Sequence, residues 1–254
     1  MSLLAGLATQ NDVLETEKDS VGFSGPIDSA LYPLEVTMAY LIKSAKGALG
    51  LVTHFKATMP DGGSRDLRQT EYVTSGDAKG NKKFYVKDGQ NFPLPGYSWG
   101  NSLCLLAGGA PLDTFETAAK DIKVWDSATK AEVIQTKEVL VGLIGKTVLA
   151  GVLRQTVDKN VKDAQGNYVP SGETRDENLI DKFFHPTNRK TVAEILAQDG
   201  AESGVFVETW ADKFTDSNKD LSTKGAVAPV AAGNSFGEQT AAAAPQVTDS
   251  LFTT

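Results

Sequence analysis

Between residues 79 and 87 the chain reads Lys-Gly-Asn-Lys-Lys-Phe-Tyr-Val-Lys, with Lys79, Lys82, Lys83 and Lys87 around two adjacent rings. Ammonium groups meet phosphates, and an exposed ring offers a face on which a base can stack. An unpaired nucleic-acid strand needs both. If this stretch is a strand, Phe84 and Tyr85 point to opposite faces, so at most one enters a core and the other is exposed or partly covered. Residues 91–100, Asn-Phe-Pro-Leu-Pro-Gly-Tyr-Ser-Trp-Gly, read as a Gly/Pro-rich loop carrying Phe92, Tyr97 and Trp99. Tyr85, Tyr97 and Trp99 are the stacking candidates, although rings in such a loop equally well pin it to a core. Trp125 and the stripe Phe206, Trp210, Phe214 read as packing residues.

Charge bears on the same point. The chain carries a net charge of −7 over 254 residues, which by itself argues against nucleic acid. Between Tyr40 and Gly100, however, nine basic residues face five acidic ones, a local +4 that leaves −11 elsewhere. Lys43, Lys46, Lys56, Arg65 and Arg68 join the four lysines above as phosphate-binding candidates, because a basic module within an acidic chain keeps a local attractive field.

Other chemistry fails residue by residue. Gly142-Leu-Ile-Gly-Lys-Thr147 lacks the first glycine of a phosphate loop, whose place falls on Leu140. Cys104, His54 and His185 are too few and too scattered for zinc, and His54 and His185 read as surface or satisfied histidines. Asp158, Asn160 and Asp163 do not follow calcium-loop spacing. No cofactor, metal or catalytic set is expected, and the chain reads as a non-enzyme. A single cysteine suits a reducing compartment, and no apolar run spans a bilayer, so a cytoplasmic location with no membrane partner is expected.

The elements that must position these residues are mainly strands. Leu34–Tyr40, Leu49–Thr58, Leu67–Thr74 and Phe84–Lys87 are short β runs separated by Gly-, Asn- and Asp-rich turns, the pattern of a small barrel or sandwich. Asn101–Leu106 reads as the start of a helix, and residues 122–126, 131–136 and 147–156 as further strands. A turn at Asp163–Asn167 returns the chain through Tyr168. Thr191-Val-Ala-Glu194 is a capping box opening a helix that should stop near Gly200, and Val205–Phe214 carries a second helical stripe. The expected organisation is an arm (1–29), a mainly β domain with late helices (30–221), and a tail (222–254). Its Ala, Gly, Pro and Thr cannot bury enough surface to offset ordering, so it reads as a flexible linker tipped by Leu251-Phe252, a candidate partner-binding pair.

Three blocks carry a resemblance. SALYPLEVTMAYLIKSAKGALGLVTHF followed by RDLRQTEYVTSGDAKGNKKFYV is the first. VLVGLIGKTVLAGVLRQTVDKNVKDAQGNYVPSGETRDENLIDKFF is the second. TVAEILA with an aromatic helix, a low-complexity linker and SLF is the third. Together, over roughly residues 20–254, they resemble the phage-encoded single-stranded-DNA-binding proteins of tailed phages. The resemblance implies an OB-like barrel with α additions, and a role in replication, recombination or transcription at melted promoters in a bacterial host cell. It implies single-stranded DNA as partner, with phage replication or transcription proteins engaged through the tail. The tail's few acids, Glu238 and Asp249, depart from the acidic tail of the bacterial type. A phage head or tail component, and a cofactor that recruits a phage RNA polymerase to melted DNA, fit the same features. Self-association is left open.

Overall fold

The computed structural model describes residues 25–126, 129–198 and 200–223. The expected arm up to residue 24 and the tail from residue 224, including Leu251 and Phe252, lie outside the described residues. The described chain is mainly β, with three α-helices. No helix in it is long and apolar enough to cross a membrane.

β1 (Ala30–Lys43) starts with strict alternation: Leu34 and Val36 are buried while Pro33, Glu35 and Thr37 are exposed. The register slips between Val36 and Met38, so that beyond Thr37 the buried parity moves to Ala39. Without this bulge the second half of the strand would turn its apolar side outward. β2 (Leu49–Thr58) pairs antiparallel with β1, and β3 (Ser64–Tyr72) with β2. β8 (Thr147–Lys162) takes the other edge of β1 along Thr147–Val152, and β10 (Asn218–Asp220) continues that edge along Arg154–Thr156. β9 (Tyr168–Phe184) pairs antiparallel with β8. Each of β3 and β9 is two antiparallel steps from β1, so they run in the same direction at opposite ends of this order.

Gln69 joins those two ends. Its side-chain oxygen accepts from the Ile180 amide at 2.7 Å, and its side-chain nitrogen donates to the Ile180 carbonyl at 3.2 Å. A single amide thus stands in for the ladder bonds that β3 and β9 do not make with each other. Asn178, two residues earlier on β9, bonds both backbone groups of Ile27, just ahead of β1, at 2.9 and 2.8 Å.

The main core lies between the inner face of this sheet and α1 (Pro95–Leu103), which continues through one wider turn at Cys104–Gly108. Leu34, Leu51, Phe55, Val148, Phe183 and Leu103 are its centre. Pro95 opens the helix, where a missing N–H costs nothing. The stretch read as an irregular loop is therefore a strand end followed by a helix. A second core holds α3 (Phe206–Phe214) on β8, with Trp210 over Gly151. A Cβ there would lie 2.5 Å from the indole ring, which leaves room only for glycine. Phe206, read as part of the packing stripe, is 42% exposed.

A hairpin of β6 (Ala118–Asp126) and β7 (Ala131–Val139) lays Ile122, Val124 and Val139 against Tyr40 and Val52 on the outer side of β1 and β2. Only one side of this ribbon is covered. Trp125, expected in the core, is on the other side and 58% exposed, because alternation along β6 places it opposite to Val124. β3 also ends two residues earlier than read, at Tyr72, and the strands expected over 131–136 and 147–156 extend to Val139 and Lys162.

α2 (Val192–Ala197) has the expected capping box, but it ends before Gln198, which takes the left-handed conformation, and does not reach Gly200. Glu194 reaches further than a cap. Its second oxygen accepts from the amides of Val205 and Phe206 at 2.7 and 2.8 Å, tying the start of α3 to the start of α2. Burial raises the carboxyl's pKa. The Thr191, Phe206 and Val205 amides and the Thr191 hydroxyl outweigh it and hold the group at about 2.

Two outcomes follow. Gln69→Ala strands the Ile180 amide and should destabilise the fold by about 1–3 kcal/mol, read as a lower urea midpoint with unchanged slope. Glu194 has its folded pKa below its ordinary value of 4.5. Its contribution, on the order of 1 kcal/mol for a capping group, is therefore complete above that value and lost as pH falls towards 2. The urea midpoints of wild type and Glu194→Gln should differ at pH 7 and converge near pH 2; an equal gap at both pH values overturns the assignment.

Candidate nucleic-acid interface

The outer side of β2 and β3 is built by register. Tyr72 lies opposite Gly50, Thr70 opposite Val52, Arg68 opposite His54, and Asp66 opposite Lys56. The β6–β7 ribbon covers the β1 side of this surface, which leaves a strip along β3. Tyr72 is 47% exposed, and its ring lies across Gly50, where a Cβ would come within 3.3 Å of it. Lys56 has Glu35 on one side and Asp66 on the other, so carboxylates locally offset its charge. Arg68 has no carboxylate in register. His54, beside it, has its pKa lowered by burial and then by the Arg68 charge, and stays neutral at pH 7. Its Nε2 is buried without a partner among the described residues, so the surface-or-satisfied reading of this histidine does not hold.

At the Tyr72 end two connections are locked together. The β1–β2 turn, residues 44–48, carries Lys46, and its carbonyl accepts from the Asp77 amide at 2.9 Å. Gly76 makes the approach feasible: it has φ 83°, and a Cβ there would sit 2.9 Å from the Lys46 carbonyl. A short 3₁₀ turn, Asp77–Lys79, then presents Lys79, and Lys82 follows with its ammonium 5.6 Å from the Phe84 ring. Lys43 is exposed at the end of β1. Lys43, Lys46, Lys79 and Lys82 therefore belong to connections at one end of the strip, beside Tyr72.

The next hairpin, β4 (Phe84–Lys87) and β5 (Gln90–Pro93), turns at Asp88-Gly89, both with positive φ, the pairing that a two-residue hairpin turn requires. Tyr85 is 45% exposed and Phe84 is half-buried. Opposite Tyr85 is Phe92, the two rings stacked at 5.7 Å and 26°. One face of Tyr85 is thus taken by Phe92. Lys87 is exposed at the strand end. Lys79, Lys82 and Lys87 form no ion pair among the described residues.

The remaining candidates are differently employed. Lys83 bonds Asp113 at 2.6 Å and the Tyr97 hydroxyl at 3.3 Å, and the Asp113 bond is the main cause of its raised pKa. It fastens the base of the hairpin to the segment after α1. Tyr97 is half-buried against the main core. Trp99 donates from Nε1 to the Ile180 carbonyl at 2.8 Å and packs on Phe183 at 4.9 Å and Phe55 at 6.4 Å. Its ring is committed to holding α1 on β9. Arg65 is on the inner parity of β3, opposite Ala57.

Sequence reasoning passed over Tyr72. The period-2 pattern that puts Gln69 and Glu71 inward puts Thr70 and Tyr72 outward, and a β3 boundary set at Tyr72 would have exposed it. It also passed over Tyr168, at the far end of the β8–β9 hairpin with the Lys162 ammonium 5.4 Å from its ring. Among the described residues no His, Cys, Asp and Glu group is arranged to hold a metal ion.

The packing and exposed rings separate by experiment. Trp99→Ala should cost about 3 kcal/mol of stability, as large core truncations do. Tyr85→Ala should cost about 1 kcal/mol or less, the worth of an aromatic pair. Equal losses in urea unfolding would place Tyr85 in the core. No protein-family model, characterised protein or solved structure matches this chain.

Proposed function

We propose that this chain binds single-stranded DNA without sequence specificity, through rings that stack on bases and cations that meet phosphates. The observation that carries the reading is two sets of exposed rings and cations close together in sequence. Arg68 and Tyr72 are on the outer parity of β3, with Lys46, Lys79 and Lys82 in the connections at its end, and Tyr85 with Lys87 is on the β4–β5 hairpin that follows. Such a surface follows a flexible backbone and carries no hydrogen-bond code for particular bases.

The architecture supports the same reading. A strand order in which β1 is shared by β2 and β8, with a helix between β3 and β8, and β9 brought alongside β3, is what an OB-like five-stranded barrel requires. We read the Gln69 bridge as its closure. In OB folds the face of the second and third strands binds oligonucleotides, flanked by the first and last hairpin turns. Here those are β2–β3, the turn bearing Lys46, and the β8–β9 turn near Lys162 and Tyr168. The acidic remainder does not oppose this, because screening confines each charge's influence to about 8–10 Å at physiological salt. The reading is of a binding protein and not an enzyme, acting where phage replication, recombination or transcription exposes single strands.

Titration with oligo(dT) tests it. Affinity should exceed that for duplex, and log K should fall against log salt with a slope of roughly −0.7 for each phosphate neutralised. Lys79→Ala with Lys82→Ala should flatten that slope by about 1.4; Lys83→Ala, already paired with Asp113, should leave it nearly unchanged. Tyr72→Ala and Tyr85→Ala should each cost about 1–3 kcal/mol with the slope intact. Preference for duplex, or no binding at about 50 mM salt where phosphate contacts are strong, overturns the proposal.

A further inference from the structure

Cross-strand partners in an antiparallel pair share a face. In the β6–β7 ribbon, Lys123 is opposite Ile134 and Trp125 opposite Glu132, so these four side chains stand together on the side turned away from Tyr40 and Val52. All four are exposed, Trp125 at 58% and Ile134 at 72%. Single apolar residues scattered on a surface need no partner, but two large ones as diagonal neighbours on one ribbon form a patch.

The charges on this face disfavour a polyanion. Asp121, Glu132 and Glu138 share its parity with one cation, Lys123, and the Thr136 hydroxyl donates to Asp121 at 2.6 Å. Neither Lys123 nor Glu132 is in an ion pair among the described residues. The four side chains form a rectangle, with Trp125 and Ile134 at one pair of opposite corners and Lys123 and Glu132 at the other. A partner must offer apolar groups to the first pair, an anion to Lys123 and a cation to Glu132.

A second copy of the same rectangle offers all of these. In a two-fold face-to-face contact the axis lies in the contact plane, and both copies use the same patch. An axis along the strands sets Trp125 on Glu132 of the partner subunit. An axis across them sets Ile134 on Glu132 of the partner subunit. The Lys123–Glu132 diagonal brings like charges together. Only the Trp125–Ile134 diagonal satisfies every corner: each of these two residues meets its own counterpart, and each Lys123 meets Glu132 of the partner subunit.

We propose that the outer face of the β6–β7 ribbon is a self-association surface, on which two copies pack about that diagonal. Residues two apart on a strand are roughly 6.7 Å apart and neighbouring strands about 4.8 Å, so the two ribbons cross at roughly 70°, near the orthogonal mode of sheet packing. Ribbons crossing so steeply touch over little more than the rectangle. The contact is well below the ~800 Å² per partner of a standard interface, so the dimer is weak and forms as the protein is concentrated.

Sedimentation equilibrium of the full chain without DNA, from micromolar to millimolar concentration, reads the association. The wild type should shift from monomer towards dimer. Trp125→Ala should weaken dimerisation by about tenfold or more, as loss of a central ring does. Lys123→Glu and Glu132→Lys should each weaken it by at least about tenfold, because each homodimer then holds two like-charge pairs. Mixed in equal amounts, these two variants should associate about as tightly as the wild type, since every charged contact in the mixed dimer joins a carboxylate to an ammonium group. A variant that had lost its fold would not recover on mixing. A wild type that stays monomeric throughout overturns the proposal. So does a dimer that survives Trp125→Ala and both charge changes, which places the contact elsewhere on the chain, or a mixture no tighter than its components. None of these readouts involves DNA, so the outcome is independent of the oligo(dT) titrations.

Discussion

One side-chain amide holds the ends of this strand order together. β3 and β9 run in the same direction and exchange no ladder bonds, yet each offers a backbone edge that water or a partner would otherwise satisfy. Gln69 satisfies both backbone groups of Ile180, and the Trp99 indole donates to the same carbonyl. The second bond matters as much as the first, because it brings α1 onto β9 and fixes where the helix crosses the core. Tyr97, one residue pair back along α1, then meets Lys83, and Lys83 meets Asp113, so the base of the β4–β5 hairpin is placed by the same chain of contacts. The position of Tyr85 depends on a bond that Gln69 makes 16 residues earlier in β3.

The basic residues of the 40–100 window divide into two kinds. Lys83 and Lys56 are opposed by carboxylates within the molecule, and they serve structure or are locally neutralised. Lys79, Lys82, Lys87 and Arg68 face outward without ion pairs among the described residues. A net charge of −7 describes neither group. Fields at a surface are set by charges within a Debye length, and a strip of cations can attract a polyanion on a chain that is acidic as a whole. The proposed interface has the composition of the window but not its full roster.

Close approach shapes the other side of the molecule. Trp210 seats over Gly151 and donates to Asp181 at 2.8 Å, which sets α3 across β8. Glu194 then binds α2 to α3. Neither helix is long, and six residues of α2 would not hold in isolation, since helices of that length are unstable in water without tertiary support. An open cleft of about 420 Å³ is the space left between these two helices and α1. It is a consequence of how they are anchored, and its exposed Leu196 and Phe206 are the residues that anchoring leaves uncovered.

Much of this was legible in the residues alone. Short β-rich runs bounded by turn residues located β1, β2 and β8, Asp163–Asn167 marked the long hairpin's turn, and Thr191 with Glu194 marked a helix start, because each of these is decided within a few residues of chain. Alternation also stated that Phe84 and Tyr85 face apart. Which of two faces is covered is a different kind of fact. Trp125 follows the same alternation as Val124, and only the docking of the β6–β7 ribbon on Tyr40 and Val52 decides that Val124 is inside and Trp125 out. Trp99 and Lys83 looked like ligands for a base and a phosphate until partners distant in sequence, Ile180 and Asp113, took their polar atoms. Tyr72 went unnoticed for the converse reason: its exposure depends on Gly50 opposite it and on a ribbon that stops short of β3. Local sequence sets periodicity, turns and caps; the competition among distant groups for each ring and charge is resolved only when the chain is folded.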